Sequence, residues 1–288
     1  MGQAVRTIHL RGGAGALVAD MYTPESPDGR FMVMLHGGGQ TRHSWRRSAR
    51  RLCDGGWTVL VYDARGHGDS GWSSAADYHV EHLSVDLRSV LHQVRSAEPN
   101  LDTPVLVGAS MGGMSCLLAL GAEPTLARAL ILVDVVPRVE AKGVEKVRRF
   151  MRESRSGFAT HAAVVDAVAA FKSHQPRPDN VNGLQRNVRR RSDGRLYWHW
   201  DPDFVSADND AEALSAVLTK AASLVGIPTL VLRGELSDVV SEQGVIEFLS
   251  LVPSARAEII LGAGHMIAGD DNVAFIDSIE VFLSSLVR

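Results

Sequence analysis

The decapeptide Pro104-Val105-Leu106-Val107-Gly108-Ala109-Ser110-Met111-Gly112-Gly113 decides how this chain folds. Its first four residues form an apolar run of strand character, and Met111–Gly121 behind it has the spacing of a helix. Between them lies Gly-x-Ser-x-Gly, from Gly108 to Gly112. That string is weak alone and gains force from the strand before it and the helix after it. A serine at so tight a turn takes a strained backbone that holds its hydroxyl clear of the sheet. Side chains two residues to either side would strike the facing backbone, so Gly108 and Gly112 suit those places. The helix start then sets free N–H groups and a favourable dipole beside any anion that develops there.

Similar apolar runs lie on both sides of this segment. Leu17–Tyr22, Phe31–Leu35, Thr58–Tyr62, Ala129–Val133, Thr229–Leu232 and Ala257–Leu261 are interleaved with helical stretches near Ser44–Asp54 and Ser84–Ala97. That rhythm predicts βαβ units and a mostly parallel sheet, and unbroken apolar runs predict strands covered on both faces. No helix separates Leu17–Tyr22 from Phe31–Leu35, so these two are expected to pair as an antiparallel hairpin at one edge.

From Pro137 to about Asp208 the alternation stops. Helical spacing runs through Gly143–Arg155 and His161–His174, a Pro-rich turn follows at Gln175–Pro178, and Gly183–Arg191 is expected to be helical too. Residues 138–199 hold 14 Lys and Arg against 6 Asp and Glu, which is +8 and leaves −11 for the rest of a chain of net charge −3. Strand–helix alternation resumes near Ala211–Leu224 and Ile227–Glu235. The expected organisation is an α/β core of residues 1–136 and 209–288, with a helical cap at 137–208 inserted between two strands of one sheet.

A length of 288 residues, 45% hydrophobic and 22% charged, fits one large folded core plus an insertion and excludes disordered or fibrous classes. The small negative charge gives no electrostatic case for nucleic acid as a partner. Cys53 and Cys116 are too few for a disulfide framework and lack metal-ligand spacing, which points to a reduced, cytoplasmic setting. No run approaches the roughly 18 apolar residues of a membrane span, and residues 1–6 do not read as a signal peptide. The expected partner is a small-molecule substrate, with neither membrane nor nucleic acid, and homo-oligomer formation stays open.

A reactive serine needs a base and a group to orient it. Of eleven histidines, His265 in Gly262-Ala263-Gly264-His265-Met266 follows the last strand-like run, at the sheet edge where Ser110 also belongs. His36, His43 and His67 come early and read as structural parts of their turns. For the acid, Asp238 gives the order Ser, Asp, His that accompanies this kind of turn. Asp134, at the end of Ala129–Val133, is the rival, and Glu235 a weaker third choice. An oxyanion would be held by the amide of Met111 and by one from His36-Gly37-Gly38-Gly39-Gln40, with Gly38 the leading donor and Gly39 the alternative. Gln40, Arg42 and His43 are candidates to face the pocket as well, but read first as ordinary loop residues.

With these residues in place, the chain resembles the α/β-hydrolase superfamily. It is most similar to the capped bacterial group called non-haem haloperoxidase-like or epoxide-hydrolase-like. The resemblance rests on Leu35–Gly39, Tyr62–Ser70, Gly108–Gly113, Gly234–Asp238 and Gly262–Met266, which span most of the chain in the family's order. It implies an eight-stranded sheet and a Ser–His–acid triad without cofactor or metal, mapping onto Ser110, His265 and Asp238. It also implies that Asp63–Ser70 braces a loop after the fourth strand. Ser110 stands where epoxide hydrolases and dehalogenases carry Asp, so their alkyl-ester chemistry is not expected.

The expected reaction is acyl transfer through serine, on carboxylic esters of small or medium apolar substrates. Cofactor-free perhydrolysis of the haloperoxidase-like kind, and lactone or C–C bond hydrolysis, are alternatives. A non-catalytic ligand-binding scaffold is the competing class. Phe150, Phe158, Phe171, Tyr197, Trp198 and Trp200 are candidates either to roof an apolar pocket or to form the cap's own core.

Overall fold

In the computed structural model, which describes residues 3–171, 187–206, 210–267 and 273–286, five strands are buried at every residue. They are β3 (Phe31–Leu35), β4 (Thr58–Tyr62), β5 (Val105–Ala109), β6 (Ala129–Val133) and β9 (Thr229–Gly234). Strands without a polar face must be covered on both sides, and successive residues indeed enter opposite layers. Val33, Leu35, Leu60, Leu106, Leu130 and Leu132 pack with α2 (Val80–Ala97), α3 (Met111–Ala122), α6 (Ala211–Ala222) and α7 (Glu242–Leu251). Met32, Met34, Val59, Val61, Val107 and Ile131 pack with α1 (Arg46–Asp54) and α8 (Val273–Ser285). The fold is that of an α/β-hydrolase: a mostly parallel eight-stranded sheet flanked by helices.

With β1 (Ala4–Gly12), β2 (Gly15–Thr23) and β10 (Ala255–Ile260), the strand order is β1-β2-β4-β3-β5-β6-β9-β10. β1–β2 and β2–β4 are antiparallel and every later pairing is parallel. The edge hairpin is therefore β1–β2. Leu17–Tyr22 lies within β2 and pairs with β1 and β4, while Phe31–Leu35 sits inside the sheet, so the expected pairing of those two runs is wrong. The sequence hid β1 because it is a polar edge, with Leu10 its one buried residue. The order reverses between the neighbours β3 and β5, and open α/β sheets bind ligands beyond the carboxyl ends of strands at such a switch. The loops after β3 and β5 are those that carry Gly38 and Ser110.

Between β6 and α6 the chain leaves the sheet. This inserted segment contains α4 (Ala141–Glu153), α5 (His161–Phe171) and an antiparallel ribbon of β7 (Val188–Arg190) with β8 (Leu196–Trp198). Residues 188–190, expected to be helical, form a strand because Val188 pairs with Trp198 and is buried in the segment's apolar cluster. The Pro-rich turn and residues 183–186 of that expectation lie outside the described residues. The cluster joins Met151, Val164, Val168, Val188, Leu196, Trp198 and Trp200, and Trp198 stacks on Trp200 with centroids 5.1 Å apart. Most of the candidate aromatics therefore serve the segment's own core.

Among the described residues, two of the places that fasten the segment to the core bear on the site. Gly143 of α4 lies on the turn after β9, where a methyl group would fall 2.0 Å from the Asp238 carbonyl oxygen. At the other, Gly68 N–H donates to His199 O (2.7 Å), Asp201 N–H to Gly66 O (2.8 Å), and Arg189 bonds Gly68 O and Asp69. Asp69 in turn meets Arg42, which is buried among Asp20, Asp63 and Asp69. Among the described residues no helix is long and apolar enough to cross a membrane.

Candidate active site

Ser110 stands between the end of β5 and the start of α3, at φ 45° and ψ −115°. For a residue with a Cβ this is a strained backbone, tolerated where the surroundings over-determine it. The glycines around it are sterically required: a methyl at Gly108 would come within 2.5 Å of the Gly113 backbone, and one at Gly112 within 2.6 Å of Leu35 O. Ser110 N–H is held by Val133 O (3.1 Å). The next amide, that of Met111 at the helix start, has no acceptor among the described residues.

The β3 loop turns beside this serine. A methyl at Gly37 would lie 3.4 Å from Ser110 Cβ. Gly37 N–H donates to Gln40 Oε1 (2.9 Å) and Gly39 N–H to His67 Nε2 (3.1 Å). Of the three glycine amides only that of Gly38 is left without an acceptor among the described residues. Gln40 continues across to the β10 loop, its Nε2 lying 3.7 Å from Met266 Sδ, next to His265. Gln40 is thus more than an ordinary loop residue, and its spacing of three from Gly37 is the signal in the sequence, since an amide side chain at that distance closes a turn locally.

His265 follows β10, and its Nδ1 lies 2.7 Å from Asp134 Oδ2. Asp134 directly follows β6, at φ 50°, and is fully buried. Its Oδ1 accepts from Gly234 N–H (2.9 Å), and Oδ2 also accepts from the Ser237 hydroxyl (2.6 Å). Ser237 is held in turn by the amides of Val239 and Val240, at 3.2 and 3.1 Å. A buried carboxylate needs such donors, and their convergence fixes its direction.

Asp238, the leading sequence candidate for the acid, is not at the imidazole. It is 43% exposed and paired with Lys146 of α4 at 2.6 Å. The turn after β9 directs Ser237 inward, and the residue beside it points away. Ser237 could have been suspected from its neighbourhood alone, but no motif marks it. Glu235, the third choice, accepts from Gly262 N–H (2.8 Å) at the surface.

His36 and His67 brace the loop from behind, with ring centroids 5.1 Å apart. His36 Nδ1–H donates to Gly37 O (2.8 Å) and Nε2 accepts from Ala64 N–H (3.0 Å). Burial, with the neighbouring His36, pushes His67 down to about 3. Burial, helped by Arg189, pushes His199 down to about 4, and burial lowers His36 as well.

All three imidazoles take up a proton more readily in the unfolded chain, near pH 6.5, than in the native one. Their contribution to stability is complete above about pH 6.5 and declines as pH falls towards the native values. Chemical denaturation at pH 7 and pH 5 is expected to give a smaller unfolding free energy at pH 5, by up to roughly 2 kcal/mol for His67 alone. Equal values at the two pH settings would contradict this account of the buried rings.

Comparison with known proteins agrees with this geometry at the level of family and fold. The family model described as serine aminopeptidase, S33, matches residues 26–272. An esterase of Mycobacterium tuberculosis is 28% identical over 94% of this chain and 88% of that one. An sn-1-specific diacylglycerol lipase of Mus musculus is 26% identical over 88% of this chain and 80% of its own. The crystal structure of an α/β hydrolase from Novosphingobium aromaticivorans superposes with a TM-score of 0.78 at 25% identity, covering 99% of both chains.

Proposed function

Since the chain belongs to the serine aminopeptidase S33 family of α/β-hydrolases, we propose that it hydrolyses carboxylic esters of small or medium apolar substrates through an acyl-enzyme on Ser110. The observation that carries this reading is the contact of Asp134 Oδ2 with His265 Nδ1 at the sheet edge where Ser110 stands in its strained turn. The Asp134 carboxylate holds the proton on Nδ1, which leaves Nε2 as the base. His265 takes the Ser110 proton as the hydroxyl oxygen attacks the ester carbonyl. The oxyanion is held by the amides of Gly38 and Met111. The imidazolium then protonates the departing alcohol, and water resolves the acyl-enzyme along the same path.

In this reading residues 1–136 and 209–288 are the catalytic core and 137–208 a cap. Phe204 would pack at 3.4 Å on a methyl at Gly38, and Trp200 and Met151 at 3.3 and 3.4 Å on one at Gly39, which gives the oxyanion loop an apolar roof. Esters are favoured over amides because the better leaving group asks less of the site, and the named relatives include an esterase and an sn-1-specific diacylglycerol lipase.

A fluorophosphonate probe is expected to label the protein at Ser110. In the same assay p-nitrophenyl acetate is turned over and aminoacyl p-nitroanilides are not. A protein inert to the probe would point to a ligand-binding scaffold, and faster turnover of the anilides would replace the ester reading by an amide one.

A further inference from the structure

His67 is not among the residues to which acyl transfer is assigned above, yet it is completely buried and both of its ring nitrogens are committed. Nδ1 lies 3.1 Å from the Arg65 carbonyl, which can only accept, so the ring proton sits on Nδ1. Nε2 is therefore a bare acceptor, and it receives the Gly39 N–H at 3.1 Å. Gln40 Oε1 takes the Gly37 N–H at the other end of the tripeptide. Two side-chain acceptors thus tie down the amides on either side of Gly38. With both neighbouring peptides held, the Gly38 N–H can turn only by a flip of its own peptide plane, and the concerted rotations that would swing the whole loop break one of those bonds.

The same imidazole touches the inserted segment. The Phe204 ring meets it edge-on with centroids 4.6 Å apart, and the backbones of His67 and Trp200 form an isolated antiparallel bridge. Among the described residues Phe204 is also the ring that lies over Gly38, and Trp200 the one that lies over Gly39. One buried side chain therefore connects the docked segment, through a single hydrogen bond, to the loop that carries the oxyanion donor.

We propose that His67 is a positioning residue that aims the Gly38 amide at the oxyanion, and that it sets this alignment according to how Trp200 and Phe204 of the inserted segment are seated. The proposal rests on the acyl-transfer reading above. It assigns His67 no contact with substrate and no proton transfer. Its effect belongs to the transition state, because the amide matters most once the carbonyl oxygen carries charge.

The test compares wild type, His67→Ala, His67→Gln and Phe204→Ala on p-nitrophenyl acetate, with a trifluoromethyl ketone as a mimic of the oxyanion. Misplacing one donor by a fraction of an ångström to an ångström is expected to lower kcat about 10- to 100-fold in His67→Ala, with KM within about threefold. Inhibition by the ketone is expected to weaken in the same proportion as kcat/KM. Glutamine can place Oε1 where Nε2 stood and accept the Gly39 amide, so His67→Gln is expected to recover turnover to within about fivefold of wild type. Phe204 is only partly buried, and Phe204→Ala is expected to shift kcat in the same direction by about 3- to 10-fold.

A His67→Ala enzyme with wild-type kcat would overturn the proposal, as would equal losses in the Ala and Gln variants. If His67→Ala does not fold, the Gln and Phe204 variants decide. An unchanged kcat in Phe204→Ala removes the link to the inserted segment, and a His67→Gln enzyme that folds but stays more than about 30-fold down removes the clamp. A wild-type protein that the fluorophosphonate fails to label refutes the acyl-transfer reading itself, a result distinct from each of these.

Discussion

Replacing Ser110 by alanine is expected to lower kcat on p-nitrophenyl acetate by at least about 10⁵-fold while leaving the fold intact. In the proposed reaction the hydroxyl is the group that forms the covalent bond, and its neighbour on α3 cannot take its place. Ser115, one turn along α3, is buried, and its hydroxyl donates to Met111 O at 2.9 Å. What survives is the contribution of the oxyanion amides and of binding, which water alone can exploit slowly. Alanine keeps the Cβ that the turn already accommodates, so near-wild-type thermal unfolding is expected beside the lost activity. Stopped-assay turnover of the purified variant, with probe labelling as a second readout, checks both parts. Residual activity within about 100-fold of wild type would mean that Ser110 is not the nucleophile.

The second large effect separates two aspartates. Asp134→Asn is expected to lower kcat about 10³- to 10⁴-fold, whereas Asp238→Asn should stay within about twofold of wild type. An asparagine at 134 preserves volume but turns one of the two acceptor oxygens into a donor. It then either faces His265 with an N–H₂, forcing the proton onto Nε2 and removing the base, or abandons Ser237 or Gly234. At position 238 the same change removes an exposed ion pair to Lys146, a contact of small energetic weight. Steady-state kinetics of the two variants decides. A steep loss at 238 with little change at 134 would move the acid to the turn after β9.

The sheet was legible in the sequence wherever a strand is enclosed. Phe31–Leu35, Thr58–Tyr62, Val105–Ala109 and Ala129–Val133 are apolar at nearly every position because both faces are covered. β1 was not legible, since an edge strand on solvent needs no such run. The inserted ribbon was missed for a related reason. Val188–Arg190 is too short for its periodicity to be distinguished from a helix, and its pairing with Leu196–Trp198 is a tertiary fact.

At the candidate site, the elbow around Ser110 and the glycines after β3 were legible because glycine is dictated by close backbone approach. The choice between Asp134 and Asp238 was not. Both stand just beyond strand ends at the same edge, and which carboxylate faces His265 depends on the direction of one turn. That direction is fixed by Asp134 at φ 50° and by the hydroxyl of Ser237, neither of which leaves a mark in composition or spacing.

With Asp134 rather than Asp238 turned to His265, the turn after β9 keeps Ser237 for that carboxylate and offers Asp238 as an anchorage for α4, through Gly143 seated on the Asp238 carbonyl and Lys146 paired with its side chain. For protein engineering this amounts to a seam. A foreign roof could be grafted between Pro137 and α6 without disturbing Ser110, Asp134 or His265, provided its first helix presents a glycine to residue 238 and its distal arm keeps rings to rest on His67.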